Sequence, residues 1–126
     1  MSLNPYAQYK EQSLTTLSKN ELLIKVLDEL VKQLTASISN MNKKEHTIAH
    51  KNLMKSQDII LTLKYSIDHK YKVLDSLSDL YMFFYTELIK ANVAKDPKII
   101  EEILPLIIDL RDAFKVAERT VRLQQK

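Results

Sequence analysis

The sequence predicts an all-α fold, an antiparallel four-helix bundle preceded by an irregular N-terminal arm. Three observations carry that reading. Glycine is absent from all 126 residues, cysteine is absent as well, and apolar residues recur at helical spacing in four successive segments. An average chain of this length holds roughly nine glycines. Without any, tight two-residue hairpins are disfavoured, which argues against a β-rich fold. Phosphate-cradling loops, the dinucleotide fingerprint and the G-x-S-x-G elbow all fall too, because each needs backbone that only glycine supplies. The missing cysteine removes disulfides, thiol catalysis and thiolate metal sites, and it suits a reducing compartment. With 45% hydrophobic and 28% charged residues, the chain has the composition of one globular domain rather than a disordered or membrane-spanning one.

The elements follow in order. Residues 1–17 are polar with isolated apolar anchors at Tyr6, Tyr9, Leu14 and Leu17, and Pro5 biases Asn4 away from helix. This segment is expected to be an arm that lies over the domain. The first helix, 18–40, is expected to open at the capping box Ser18-Lys19-Asn20-Glu21. Its stripe runs Leu23, Val26 or Leu27, Leu30, Leu34 and Ile38, with a stop near Asn40, a residue that tolerates left-handed backbone. The second helix, 43–68, is expected to start from an Asn42 cap, with Ala49, Leu53, Ser56, Ile60, Leu63 and Ile67 facing inward.

Helical pattern then continues to Asn92 without a breaker. One helix over residues 43–92 would be about 75 Å long, too long for a domain this small. The polar stretch Asp68–Lys72 is therefore expected to hold a turn. The third helix, 72–92, carries Val73, Leu77, Leu80, Phe84, Leu88 and Ala91 inward, with Leu74, Tyr81, Phe83 and Tyr85 on other sides. Asp96-Pro97 starts the fourth helix, 96–118, with Asp as cap and Pro at the first helical position. Its stripe is Ile100, Ile103, Ile107, Leu110, Phe114 and Ala117, and Pro105 within it is expected to bend the helix. Residues 119–126 form a basic tail. The bundle proper is thus 18–118.

Chemistry is sparse. His46 and His50 lie four residues apart, so a helix puts both rings on one side. The metal-binding His-Glu-x-x-His pattern nevertheless fails, because Thr47 follows the first histidine. No Glu-x-x-His pair of the di-iron bundles occurs, and no serine sits at a strained turn beside a base. The expectation is no catalysis, no metal and no cofactor. Net charge is +3, from 19 basic and 16 acidic side chains. They are interspersed rather than gathered on one run, which is not the pattern of a nucleic-acid binder. No apolar run reaches the ~18–20 residues of a spanning helix, and the first residues lack a signal peptide's basic and apolar regions. A cytoplasmic chain with no nucleic-acid partner and no membrane insertion is expected. What remains in surplus is apolar surface. Tyr81-Met82-Phe83-Phe84-Tyr85 points bulky groups in several directions round one helix, which suits either a groove for an amphipathic segment or a fat core or dimer seam.

In their order these features resemble the flagellar export chaperones of the FliS family. The resemblance rests on Asn4-Pro5-Tyr6 with Tyr9, on Ser18-x-x-Glu21-Leu22, and on Lys55-x-Gln57-Asp58-Ile59-Ile60-x-x-Leu63. It continues through Leu80-Tyr81 with Leu88-Ile89-x-Ala91-Asn92 and Asp96, then Leu110-Arg111-Asp112-Ala113-Phe114. It spans roughly residues 4–117. Leu27-Asp28-Glu29, Thr86-Glu87 and Phe114 depart from the family's usual Tyr-Asp/Asn-Gly, paired arginines and tryptophan.

The resemblance implies a chaperone that binds the C-terminal segment of flagellin, prevents premature polymerisation and assists type III export, with the flagellar export gate as a second partner. In the family the arm caps the groove, a role that falls here to Tyr6 and Tyr9. The partner-binding residues expected in the groove are Ile60, Leu61, Leu80, Tyr81, Phe84, Tyr85 and Leu88. The chain is expected as a monomer or weak homodimer. The other reading of the same surface is a structural bundle that associates with itself.

Overall fold

The computed structural model describes the backbone of residues 5–124 and the side chains of residues 21–124. Four α-helices follow one another, α1 Pro5–Asn42, α2 His46–Tyr65, α3 Asp75–Ala94 and α4 Pro97–Gln124, with a 3-10 turn at Lys72–Leu74 before α3. Each helix packs on its neighbours in the chain and α4 closes on α1. Among the described residues α1 and α3 face each other only across the diagonal, as do α2 and α4, and the α3–α4 seam is the thinnest of the four.

The core is built from one stripe per helix. Leu27, Leu30 and Leu34 come from α1, Ala49, Leu53, Ile60 and Leu63 from α2, Tyr81, Phe84, Leu88 and Ala91 from α3, and Ile100, Ile103 and Ile107 from α4. Burying each of the leucines and isoleucines and Phe84 contributes roughly 1.5–3 kcal/mol. Ser37 and Ser56 lie fully buried among them. Each hydroxyl donates to a carbonyl of its own helix, Leu34 at 2.7 Å and Asn52 at 2.8 Å, so small polar side chains sit in the core with their hydrogen bonds made.

Several boundaries differ from expectation. Residues 5–17, expected as an irregular arm, continue α1 as helix. Pro5 is tolerated in a first turn and no glycine or proline interrupts the chain after it, so nothing stops the helix before Asn42. The Ser18–Glu21 box accordingly lies inside a helix rather than at its start. Asn42 does not cap α2. Glu45 holds that position without a side-chain capping bond. The left-handed turn residues are Lys44, with φ 61°, and Lys95, with φ 53°, rather than an asparagine. The fourth helix runs on to Gln124, taking in most of the expected tail, and passes through Pro105.

Other expectations agree in part. A break does separate α2 from α3, but it covers residues 66–71, so α2 stops at Tyr65 before Ile67, and Lys72 already opens the 3-10 turn. Asp96 caps α4 by accepting from the Lys98 N–H at 3.0 Å. In α3 the inward stripe runs Leu77, Tyr81, Phe84, Leu88 and Ala91, so Tyr81 takes the fully inward position assigned to Leu80. Val73 is 81% exposed in the 3-10 turn. In α4 the inward position after Phe114 is held by Glu118, while Ala117 is exposed.

Candidate functional site

Among the described residues, a run of uncovered apolar side chains lies on the outer face of α3. Met82, Ile89 and Val93 are 41%, 40% and 82% exposed, and Phe83 beside them is 46% exposed. Positions 82, 86, 89 and 93 are spaced four, three and four apart, so Met82, Thr86, Ile89 and Val93 share one stripe turned away from the core stripe. Phe83 leans on the core, its ring centroid 5.9 Å from that of buried Phe84.

The flank of α2 adds to this face. The ring of His50 meets the Asn92 side-chain amide, with Nδ1 at 3.0 Å from Nδ2 and 3.2 Å from Oδ1. That pair joins the start of α2 to the end of α3, so the two helices run antiparallel. Counting in opposite directions from it places Met54 level with Leu88 and Leu61 level with Tyr81. Met54 is 42% exposed and Tyr65 77%, while Leu61 is half-buried. Methionine and aromatic side chains on a helix flank form a surface that adapts to an apolar partner. Charge along α3 is polarised. Asp75 and Asp79 stand at its start and Lys90 and Lys95 at its end, and Lys90 Nζ is 3.1 Å from Glu87 Oε1.

The residues expected in the groove divide into three sets. Ile60, Tyr81, Phe84 and Leu88 are core, each at most 2% exposed, so this conformation offers none of them as surface. Leu61, Leu80 and Tyr85 are half-buried at the rims of the helices. Tyr6 and Tyr9 lie on α1, outside the residues whose side chains are described. Met82 and Phe83 belong to the aromatic run that the sequence singled out, although neither was among the residues expected in the groove. Ile89 and Val93 were not singled out as contact residues, and their four-three-four spacing with Met82 and Thr86, opposite the core stripe, is the signal that marks them.

The opposite seam of the bundle holds a different feature, a cleft of about 400 Å³ lined by Glu21, Ile24, Lys25, Asp28, Lys115, Glu118, Arg119 and Arg122. Its carboxylates are matched by local cations. Arg122 Nη2 grips Glu118 at 2.5 and 2.6 Å, and Asp28 receives Arg111 at 3.3 Å and Lys115 at 3.7 Å. The Asp28 pairs tie α1 to α4 while the Arg122–Glu118 pair is internal to α4, and together they leave little net charge for a ligand. Among the described residues no group of three His, Asp or Glu side chains converges as a metal site. No described helix is long and apolar enough to cross a membrane.

Residues 2–121 match the family described as Flagellar protein FliS. The chain belongs to the FliS family. A relative from Bacillus subtilis (strain 168), the Flagellar secretion chaperone FliS, is 26% identical over 119 residues, covering 94% of this chain and 90% of the relative. For this FliS-family chain the match runs across all four helices, so the exposed α3 face belongs to the matched region rather than to an addition outside it.

Proposed function

We propose that this chain is a flagellar export chaperone that binds the C-terminal segment of flagellin in the cytoplasm, holding it back from polymerisation until type III export. The observation that carries the reading is the uncovered apolar stripe Met82, Ile89 and Val93 with Phe83, on a helix already packed on its other side. A contiguous exposed apolar patch on a small domain marks an interaction site, and a helix face flanked by a second helix suits an amphipathic segment that lays its own apolar side into the crevice. Such a segment is disordered while free and folds on docking. Ordering it costs several kcal/mol, which a broad contact along α2 and α3 has to offset. Family membership and the secretion-chaperone name of the Bacillus subtilis relative support the same reading.

The half-buried Leu61 and Tyr85 join the proposed contact at its α2 side, and Leu80 at its α4 side. Ile60, Tyr81, Phe84 and Leu88 serve it from beneath, as the core that holds α3 in place. Tyr6 and Tyr9 keep the role of a lid only if the first turns of α1 leave the helix. Deleting residues 1–17 tests that role, since a lid predicts tighter binding, and unchanged or weaker binding removes it.

Titration calorimetry with a flagellin C-terminal peptide tests the function itself. A one-to-one complex with a negative heat-capacity change is the expected result. Absence of binding by calorimetry and by size-exclusion chromatography overturns the proposal.

A further inference from the structure

The His50–Asn92 pair fixes which residues of α2 and α3 stand opposite one another. Seven residues make nearly two helical turns, so a step of seven stays on the same side of a helix. One such step along α2 from His50 reaches Gln57, and one step back along α3 from Asn92 reaches Tyr85, level with it. A second step sets Lys64 opposite Ser78. The α2–α3 seam thus carries polar rungs in an otherwise apolar crevice. Among the described residues only the His50–Asn92 rung is closed by a hydrogen bond between the two helices.

Gln57 stands out among the open rungs. It is only 7% exposed, and among the described residues no hydrogen bond reaches its side-chain amide. No described side-chain nitrogen or oxygen that is wholly shut from solvent lacks a partner, so the Gln57 amide still touches water while its stem is buried. The other open groups have local outlets. A serine such as Ser78 can turn its hydroxyl onto its own helix, and Lys64 lays its ammonium over the Tyr65 ring, 5.4 Å from the centroid. A glutamine amide offers two donors and an acceptor. A segment docked over the crevice takes water away from them, and an unpaired amide under an apolar cover weakens binding roughly tenfold or more. The position is also central. Met54 and Leu61 lie one turn to either side of Gln57 on α2, as Met82 and Ile89 do of Tyr85 on α3.

We infer that Gln57 sets the register of the client. The docked helix carries an asparagine or glutamine on its otherwise apolar face, and that side-chain amide pairs with the Gln57 amide at the centre of the crevice. One carboxamide answers another, each donating one N–H and accepting one, so a single client residue satisfies both groups. A carboxylate only accepts and leaves the Gln57 oxygen unpaired. A segment slid by one turn covers Gln57 with an apolar side chain, so the polar pair excludes the wrong register. The inference rests on the chaperone reading and adds what the crevice recognises.

The experiment is titration calorimetry of the full chain with a flagellin C-terminal peptide. It compares the wild type with Gln57→Met, which keeps the volume and the apolar stem. Each protein is titrated with the unaltered peptide and with versions in which each Asn and Gln in turn is replaced by Leu. Gln57→Met is expected to bind the unaltered peptide about tenfold more weakly. One peptide replacement is expected to weaken binding to the wild type by a similar factor and, unlike the others, to cost Gln57→Met nothing further. Because the amide has no described partner in the free chain, Gln57→Met is expected to keep or raise the urea midpoint.

Undiminished binding by Gln57→Met overturns the inference and leaves the chaperone reading standing, as does a set of replacements of which none couples to Gln57. A lowered urea midpoint together with lost binding gives Gln57 a structural role and overturns the inference as well. A peptide that does not bind the wild type overturns both.

Discussion

Asn52 on α2 donates its side-chain amide to Gln33 Oε1 on α1 at 2.9 Å. That bond lies in the middle of a polar line along the α1–α2 seam. Asn40 donates to Asn52 Oδ1 at 2.8 Å, Gln33 donates to Glu29 Oε1 at 2.9 Å, and Lys55 Nζ sits 3.2 Å from the same Glu29 oxygen. A hydrophobic seam tolerates sliding by a turn, whereas these bonds exist in one register only. Asn52→Ala breaks two of them and leaves half-buried partners unsatisfied. It is expected to lower the unfolding free energy by about 1–3 kcal/mol, seen as a lower urea midpoint at unchanged slope. Gln33 first and Lys55 second hold the Glu29 carboxyl below its ordinary value. The stability linked to it is therefore present at neutral pH and is lost as pH falls through that lowered value.

Lys44 occupies left-handed backbone with φ 61° in the turn between α1 and α2. A side chain there costs about 1–2 kcal/mol that glycine does not incur, although glycine gives some back through the freedom of the unfolded chain. Lys44→Gly is expected to raise stability by about 0.5–1 kcal/mol, measured by denaturant titration. A loss of stability would mean that the lysine side chain supports the turn.

Burial pushes the Tyr81 hydroxyl up to about 12. Between the ordinary value near 10 and this raised one, the unfolded chain gives up the proton while the folded chain keeps it. Stability is thus full below pH 10 and declines toward pH 12, by no more than about 1.4 kcal/mol per pH unit from this group. Tyrosinate absorbance is expected to show a late step from Tyr81, and Tyr81→Phe is expected to abolish that step together with its share of the alkaline decline.

Neighbouring residues on α3 are expected to behave in opposite ways. Leu88 is fully buried while Ile89 is 40% exposed. Leu88→Ala is expected to cost about 2–5 kcal/mol of stability. Ile89→Asp is expected to leave the melting curve nearly unchanged and to weaken flagellin-peptide binding by tenfold or more. Equal effects of both changes on binding per unit of folded protein would remove the distinction between core and contact face.

Helix number and the α2 stripe were legible in the sequence because Ala49, Leu53, Ser56, Ile60 and Leu63 form the only inward line that α2 has. The phase of α3 was not legible. Leu80 and Tyr81 both suit a stripe through Leu77, Phe84 and Leu88, and the choice depends on where α2 and the thinner α4 seam lie, which is tertiary information. The same ambiguity hid the outer face. When apolar residues surround a helix, a pattern that seeks the core assigns the largest aromatics to whichever function is sought, so Tyr81 and Phe84 were expected in a groove, whereas both are buried in the core. Glu118 was hidden for another reason. A carboxylate on a core line reads as a break in the stripe unless Arg122, one turn later and correctly oriented to pair with it, is read together with it.

The central claim is that the outer face of α3 receives the client. Amide and methyl chemical shifts of the labelled chain, followed while a flagellin C-terminal peptide is added, test it most directly. The account predicts saturable shifts concentrated at Met82, Phe83, Ile89 and Val93 and along the α2 flank at Met54 and Leu61. Saturable binding whose shifts fall on the α1–α4 seam, leaving α3 unmoved, would contradict it.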